Sequence, residues 1–204
     1  MSRQPTYTLD TFTKHIPTWE RVLDEPYRQT FINTPTNILD IGAAEGAATI
    51  WFAENLISNP KSKVYSVDSW WQKELEKKFD ANVSDSGLSY RVIKQKGSIP
   101  HILSELVVKQ TGWNKFGVIH YNYSTNTIDA LNIITTCFNL LLRDDGILVI
   151  NNYDTTHKIN LLGGTAVHYR EALEFLKRVY AGRYEVLVAD KLLILKKLSP
   201  EQIL

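Results

Sequence analysis

A glycine loop and two carboxylates carry the first readable chemistry in this sequence. The apolar run Asn37–Ile41 leads through Asp40 into Gly42-Ala-Ala-Glu-Gly46, and Asp68 lies 22 residues beyond Gly46. Glycine allows a tight turn and lets a ligand approach the main chain closely. A dehydrogenase fingerprint would want glycines at 42, 44 and 47; Ala44 and Ala47 stand at two of them, so a pyrophosphate is poorly received. Asp40, just ahead of the loop, suits an ammonium group better than a phosphate. A carboxylate at Asp68 can accept from both hydroxyls of a ribose. As bare strand-end caps the two acids would do nothing more, but their placement on successive strands favours a ligand. His120 closes another apolar segment, Phe116–Ile119. A lone histidine there is more often structural than catalytic, yet the carboxyl end of a central strand is where α/β sheets work. Cys137, in the apolar stretch Ile133–Phe138, reads as a buried structural thiol, and no Cys/His spacing reads as zinc. His15, His101 and His168 lack a partner signature and read as surface or helix residues. The run Lys73–Lys78 reads as a solvated helix face.

Alternating segments must position these groups. Pro17 and Pro26 should cut Thr11–Thr30 into short helices. Strands are expected at Asn37–Ile41, Lys63–Val67, Tyr90–Lys96, Phe116–Ile119 and Ile147–Ile150, the last after a turn at Asp144–Gly146. Helices are expected at Gly46–Asn55, Gln72–Asp80, Ile99–Gln110 and Asn126–Leu142. Thr155–Thr165 reads as a flexible loop that either closes over a substrate or simply connects. After a helix at Tyr169–Tyr180, strands at Tyr184–Val188 and Leu192–Lys197 are too closely joined to be anything but antiparallel. Strands this apolar need cover on both faces, which spells an α/β fold: a mostly parallel seven-stranded sheet, an antiparallel C-terminal hairpin, and helices on both faces.

The bulk properties set limits. With 204 residues, 44% hydrophobic and 22% charged, the chain has an ordinary globular composition and length for one domain. Twenty-three basic against 22 acidic residues give a formal charge of +1, which argues against a nucleic-acid partner. No apolar run reaches a membrane span and the first ten residues lack the apolar core of a secretory signal. With a single cysteine, these features lead us to expect a cytoplasmic protein.

Asn37-Ile-Leu-Asp-Ile-Gly-Ala-Ala-Glu-Gly46 followed by Val64-Tyr-Ser-Val-Asp-Ser-Trp70 resembles the class I S-adenosylmethionine-dependent methyltransferases. More narrowly, the chain resembles the small O-methyltransferases related to macrocin and other sugar O-methyltransferases. Phe79 with Asn82, Ser86–Ser89, Lys96-Gly-Ser98, Leu141–Ile150 and the closing hairpin match too. The resemblance implies a single domain over 1–204, with a Rossmann-like core at 35–198 and a helical cap at 1–34. It implies that Asp40, Gly42, Ala43, Ala44, Glu45 and Gly46 hold the methionine part of S-adenosylmethionine. Asp68 would bind the ribose, with Ser69 and Trp70 beside the adenosine and Gly97 and Ser98 lining the adenine. Of Trp70 and Trp71, one is expected to line that pocket and one to pack.

The sequence departs from this family where a divalent metal is usually held. An Asp-Gly-Ser-His-like motif is replaced by His120-Tyr-Asn-Tyr-Ser124, with His120 at the aspartate and Tyr123 at the histidine position. The paired acids after the fifth strand have become Asn151 and Asn152. Hard cations want anionic oxygen, so no metal site is expected, although the asparagine carbonyls and Asp154 remain possible donors. Two readings follow. In one, His120 activates an acceptor hydroxyl in place of the metal, with Asn151 and Asn152 beside it. Tyr123, Tyr153, Asp154 and His157 would then line the pocket of a carbohydrate or other small acceptor. In the other, the protein binds the cofactor without catalysis, as a scaffold. A nicotinamide oxidoreductase is a distant third. Oligomeric state is not legible.

Overall fold

Apolar runs of five residues become buried parallel strands because, with both faces covered, every position must exclude water. The computed structural model describes residues 4–23, 29–31, 33–109, 115–122, 127–151, 153, 158–160 and 166–203. The chain divides into two compact units, residues 1–102 and 103–204.

In the first unit β1 (Asn37–Ile41), β2 (Val64–Asp68) and β3 (Val92–Lys96) run parallel in the order β3-β2-β1. Their register pairs Ile38 with Val64 and Asp40 with Ser66, and Val64 in turn with Val92. The helix after the glycine loop, α2 (Ala47–Asn55), buries Ala48, Thr49, Ile50, Phe52 and Ala53. It is preceded by a single-turn 3-10 helix (Thr13–His15) and α1 (Ile16–Val22). Pro17 does not cut this segment. It sits in the first turn of α1, where a missing N–H costs no helical bond, and so opens the helix. The Asp10 carboxylate accepts from Phe12 and Thr13 N–H at 2.9 and 2.8 Å. Phe12 and Trp19 then pack on Phe52, with ring centroids 5.4 and 5.0 Å away. His15, expected at the surface, is buried in this segment. The next helix, α3 (Lys73–Ser86), runs well past the expected Asp80. Gly87 ends it in the left-handed conformation, φ 75°. It is followed, after β3, by α4 (Ile99–Lys109).

The second unit holds β4 (Phe116–Tyr121), α5 (Thr127–Thr136) and β5 (Leu142–Ile150). A short hairpin of β6 (Lys158–Asn160) and β7 (Ala166–His168) follows, then α6 (Tyr169–Val179), β8 (Tyr184–Ala189) and β9 (Leu193–Lys197). Four of its strands lie in the order β4-β5-β9-β8; β4 and β5 are parallel, and β9 is antiparallel to both its neighbours. The two units thus supply the seven strands of the expected Rossmann-like sheet, mostly parallel with an antiparallel C-terminal pair.

Three expectations are corrected here. Asp144-Asp145-Gly146 is not a turn before a strand but lies within β5. The register steps from Phe116↔Leu142 to Val118↔Ile147, so these residues bulge out while pairing resumes beyond them. Asp145 takes the left-handed conformation at φ 60°, and buried Lys197 donates to Leu142 O at 3.0 Å across the bulge. The helix expected through Leu142 ends at Thr136 and continues as one π-helical stretch, Cys137–Leu141. Finally, the stretch expected to be a plain loop contains β6, paired with β7.

Candidate active site

The carboxyl ends of β1, β2 and β3 are tied into one rim by main-chain bonds. Gly42 N–H donates to Val67 O at 2.8 Å, and Gly97 N–H donates to Asp68 O at 3.0 Å. The Asp68 carboxylate spans the two turns: Oδ2 accepts from Ala44 N–H at 3.0 Å and Oδ1 from Trp70 N–H at 2.9 Å. Ser69 Oγ stands 3.5 Å from the same Oδ1. The chain can curl this way because Gly42 and Gly46 take φ of 83° and 90°, the region that favours glycine. Ala44 (φ 46°) and Trp70 (φ 39°) share that region at a steric cost, so the loop holds strain at two residues other than glycine.

Trp70 is what holds them there. Its indole N–H donates to Ala44 O at 2.8 Å, its ring lies 4.7 Å from that of Phe79, and it is 2% exposed. Trp71 is 78% exposed. Trp70 is therefore the packing member of the pair. Asp40 is fully buried, with Oδ2 accepting from Thr49 Oγ1 at 2.6 Å and Ser66 Oγ 2.9 Å from the same hydroxyl. It anchors the start of α2 beneath the loop. Ala43 and Gly46 are buried, while Ala44, Asp68, Ser69, Gly97 and Ser98 remain accessible to solvent along the rim.

Glu45 points to a segment that sequence reasoning did not connect with it. Its buried carboxylate accepts from Thr8 N–H at 2.6 Å, Thr8 Oγ1 at 2.5 Å and Leu9 N–H at 3.3 Å. Lys78 Nζ lies 3.4 Å away, so the expected solvated face of α3 gives up one lysine to the loop. Burial raises the Glu45 pKa, but the Thr8 and Leu9 hydrogen bonds and Lys78 outweigh it and hold the carboxyl below the usual range. Asn82 completes the strap: it accepts from Thr6 N–H at 3.0 Å and donates to Thr6 O at 3.1 Å and Glu45 O at 2.9 Å. Thr8 and Lys78 carried no signal in the sequence, because their partner is remote along the chain.

In the second unit, His120 is buried on β4 and registers with Val149. Asn151 continues the ladder beyond β5, its N–H donating to Tyr121 O at 2.8 Å. Its buried side chain donates from Nδ2 to Asn122 Oδ1 at 2.9 Å, so Asn122 joins the predicted set. Tyr153 is buried; its hydroxyl bonds to Glu174 of α6, with Lys177 beside both. Asn152, Tyr123, Asp154 and His157 lie outside the described residues. Among the described residues no three His, Cys, Asp or Glu side chains converge.

The geometry of the first unit fits an adenosyl amino acid. Two backbone N–H groups and, at 3.5 Å, the Ser69 hydroxyl occupy the Asp68 carboxylate, which offers about four acceptor sites; a site stays open on Oδ2, and the long Ser69 contact on Oδ1 can give way to a ligand hydroxyl. The positive-φ glycine at 42 lets the main chain turn without a side chain in the way of a ligand. Comparison with known proteins agrees. Residues 39–153, more than half of the chain, match the methyltransferase domain family. The chain belongs to that family. No curated protein matches the sequence. Among solved structures, the O-methyltransferase of Bacillus cereus in complex with S-adenosylhomocysteine is 15% identical with a TM-score of 0.67, covering 94% of this chain and 84% of that one. The O-methyltransferase TomG of Streptomyces achromogenes, involved in tomaymycin synthesis and solved with S-adenosylmethionine, is 16% identical with a TM-score of 0.60, covering 94% and 93%.

Proposed function

We propose that the protein transfers a methyl group from S-adenosylmethionine to a hydroxyl of a carbohydrate or other small acceptor, with His120 as general base and without a divalent metal. The observation that carries the reading is the Asp68 carboxylate, which locks the glycine loop to β2 and still has acceptor capacity on Oδ2. Two structural relatives are O-methyltransferases, which supports a hydroxyl acceptor. The carbohydrate preference rests on the sequence resemblance to sugar O-methyltransferases. Bound there, the cofactor supplies an electrophilic methyl on a sulfonium. Asp68 would hold its ribose, Ser69, Gly97 and Ser98 its adenosine with Trp70 packed behind them, and Gly42–Gly46 its amino-acid end with Asp40 anchoring that loop from beneath.

The protein's remaining tasks are positioning the hydroxyl and removing its proton. His120 is the candidate acceptor of that proton, since a neutral imidazole can take it as the new carbon–oxygen bond forms. Asn151, with Asn122 at 2.9 Å, offers neutral amide groups to orient the acceptor, and Asn152 is assigned the same role. Neutral amides suit a hydroxyl and serve a hard dication poorly. Tyr123, Tyr153, Asp154 and His157 remain the candidate acceptor-lining residues. We further read residues 1–204 as one methyltransferase domain capped by its N-terminal segment.

The test is turnover with CD3-labelled cofactor against a panel of hydroxyl acceptors, read by mass spectrometry in EDTA. Activity should persist in EDTA, and His120→Ala should lower kcat by about 10²–10⁴-fold, the range for a positioned base, while cofactor affinity holds. Full activity in His120→Ala, or activity abolished by EDTA and restored by Mg²⁺, overturns the mechanism while leaving the methyltransferase assignment standing.

A further inference from the structure

Between the N-terminal segment and α2 lies a cleft of about 310 Å³ whose lining does not include Asp68. That volume suits a small organic molecule. Its walls carry three aromatic side chains, Tyr7 and Phe12 from one side and Trp51 from the other, together with Ile50 and Glu54. The rings of Phe12 and Trp51 are 5.5 Å apart and inclined at 54°, so each fixes the other's orientation. The strap is itself held rigidly, through Thr6 on Asn82 and Thr8 on Glu45, so the cleft is preformed.

The charge in the cleft has one sign. None of its lining residues is basic. Asp10 spends its carboxylate on the Phe12 and Thr13 N–H groups, and Glu45 is held by Thr8 and Lys78. Glu54, by contrast, makes no ion pair among the described residues. Tyr7 stays a neutral phenol at all ordinary pH: burial first, then Glu54, Asp10 and Glu45, push its pKa up to about 12. An uncompensated carboxylate beside aromatic rings attracts cations and repels anions, since ring faces carry negative potential.

We infer that this cleft binds a small organic cation, an ammonium or methylated ammonium group on a compact apolar body, with Glu54 as counter-charge and Tyr7, Phe12 and Trp51 as its aromatic lining. Charge and π-face act on a quaternary ammonium as on a primary one, and Gln4, Thr13 and Ser86 supply polar wall around them.

Choline and its uncharged isostere 3,3-dimethylbutanol separate charge from shape. Calorimetric or ligand-observed NMR titration of the full chain should show choline binding at least about tenfold tighter than 3,3-dimethylbutanol, the scale of a desolvated cation–π contact. Glu54→Gln should weaken choline about tenfold and leave the alcohol unchanged, and Glu54→Lys should abolish choline binding. Glu54 is exposed on a helix surface, so both variants should fold, which circular dichroism confirms. Saturating S-adenosylhomocysteine should not displace choline. Equal binding of the two probes, no binding of either, choline binding that survives Glu54→Lys, or displacement by S-adenosylhomocysteine each overturns the inference. Failure here leaves the methyltransferase reading untouched, because Glu54, the residue varied, is not among the residues placed at the Asp68 rim.

Discussion

Trp70 shows how much of the cofactor rim depends on one side chain. Its indole N–H to Ala44 O bond and its ring on Phe79 together hold two residues at positive φ. Trp70→Phe keeps an aromatic ring and removes the donor, leaving the Ala44 carbonyl short of one partner. We expect a loss of about 0.5–1.5 kcal/mol in stability by urea unfolding, the net value of such a bond, and a several-fold weaker affinity for S-adenosylhomocysteine. An unchanged midpoint and affinity would remove the bond from the account. At this scale the sequence was legible where a residue acts through its own type and place. Asp68 reads as an acceptor at a strand end, and the structure gives it two N–H donors. Glu45 was read only by its position in the loop, because its partners Thr8 and Lys78 are set by tertiary packing that no local pattern encodes.

Among the elements, the strap and the β5 bulge make the clearest predictions. Because the Glu45 carboxyl is held below its usual pKa, its contribution is full above the unfolded value and is lost as pH falls through the folded one. The protection factors of the Thr8 and Leu9 amides, exchange rates taken relative to the intrinsic rate at each pH, should therefore fall in acid while those of α2 hold, and Glu45→Gln should flatten that dependence. Protection factors that do not change with pH would detach the strap from Glu45. In the bulge, a Cβ on Gly146 would come within 2.7 Å of Leu142 Cδ1 and 2.8 Å of the Arg143 carbonyl oxygen. Backbone does not yield cheaply, so Gly146→Ala should cost about 1–3 kcal/mol in a denaturant titration. Neutrality would mean the bulge relaxes. Here the sequence misled in an instructive way: Asp-Asp-Gly is turn chemistry, and the turn exists, but it is folded into a strand whose pairing resumes at Ile147. Pro17 likewise reads as a breaker until the helix is seen to start there.

Across the whole molecule, the alternation of strand and helix and the short final connection sufficed to read the fold class. Burial on both faces writes itself into apolar runs, and an antiparallel pair needs only a few linking residues. The β6–β7 hairpin was illegible because three-residue strands carry no period. The site is divided in the same way. The rim of Gly42, Ala44, Asp68 and Gly97 lies within one unit and rests on local turn chemistry, whereas the roles of His120, Asn151 and Asn152 rest on which family residues they replace. The central claim, that the Asp68 rim binds an adenosyl amino acid, is tested most directly by calorimetric titration of S-adenosylhomocysteine into the wild type and Asp68→Ala, with NAD as the competing ligand. The account predicts saturable binding of S-adenosylhomocysteine, no heat with NAD, and a loss of at least about tenfold in Asp68→Ala, as expected for hydrogen bonds to a charged acceptor worth about 1.5–3 kcal/mol each. An unchanged Kd in a folded Asp68→Ala protein, or binding of NAD in place of S-adenosylhomocysteine, would contradict it.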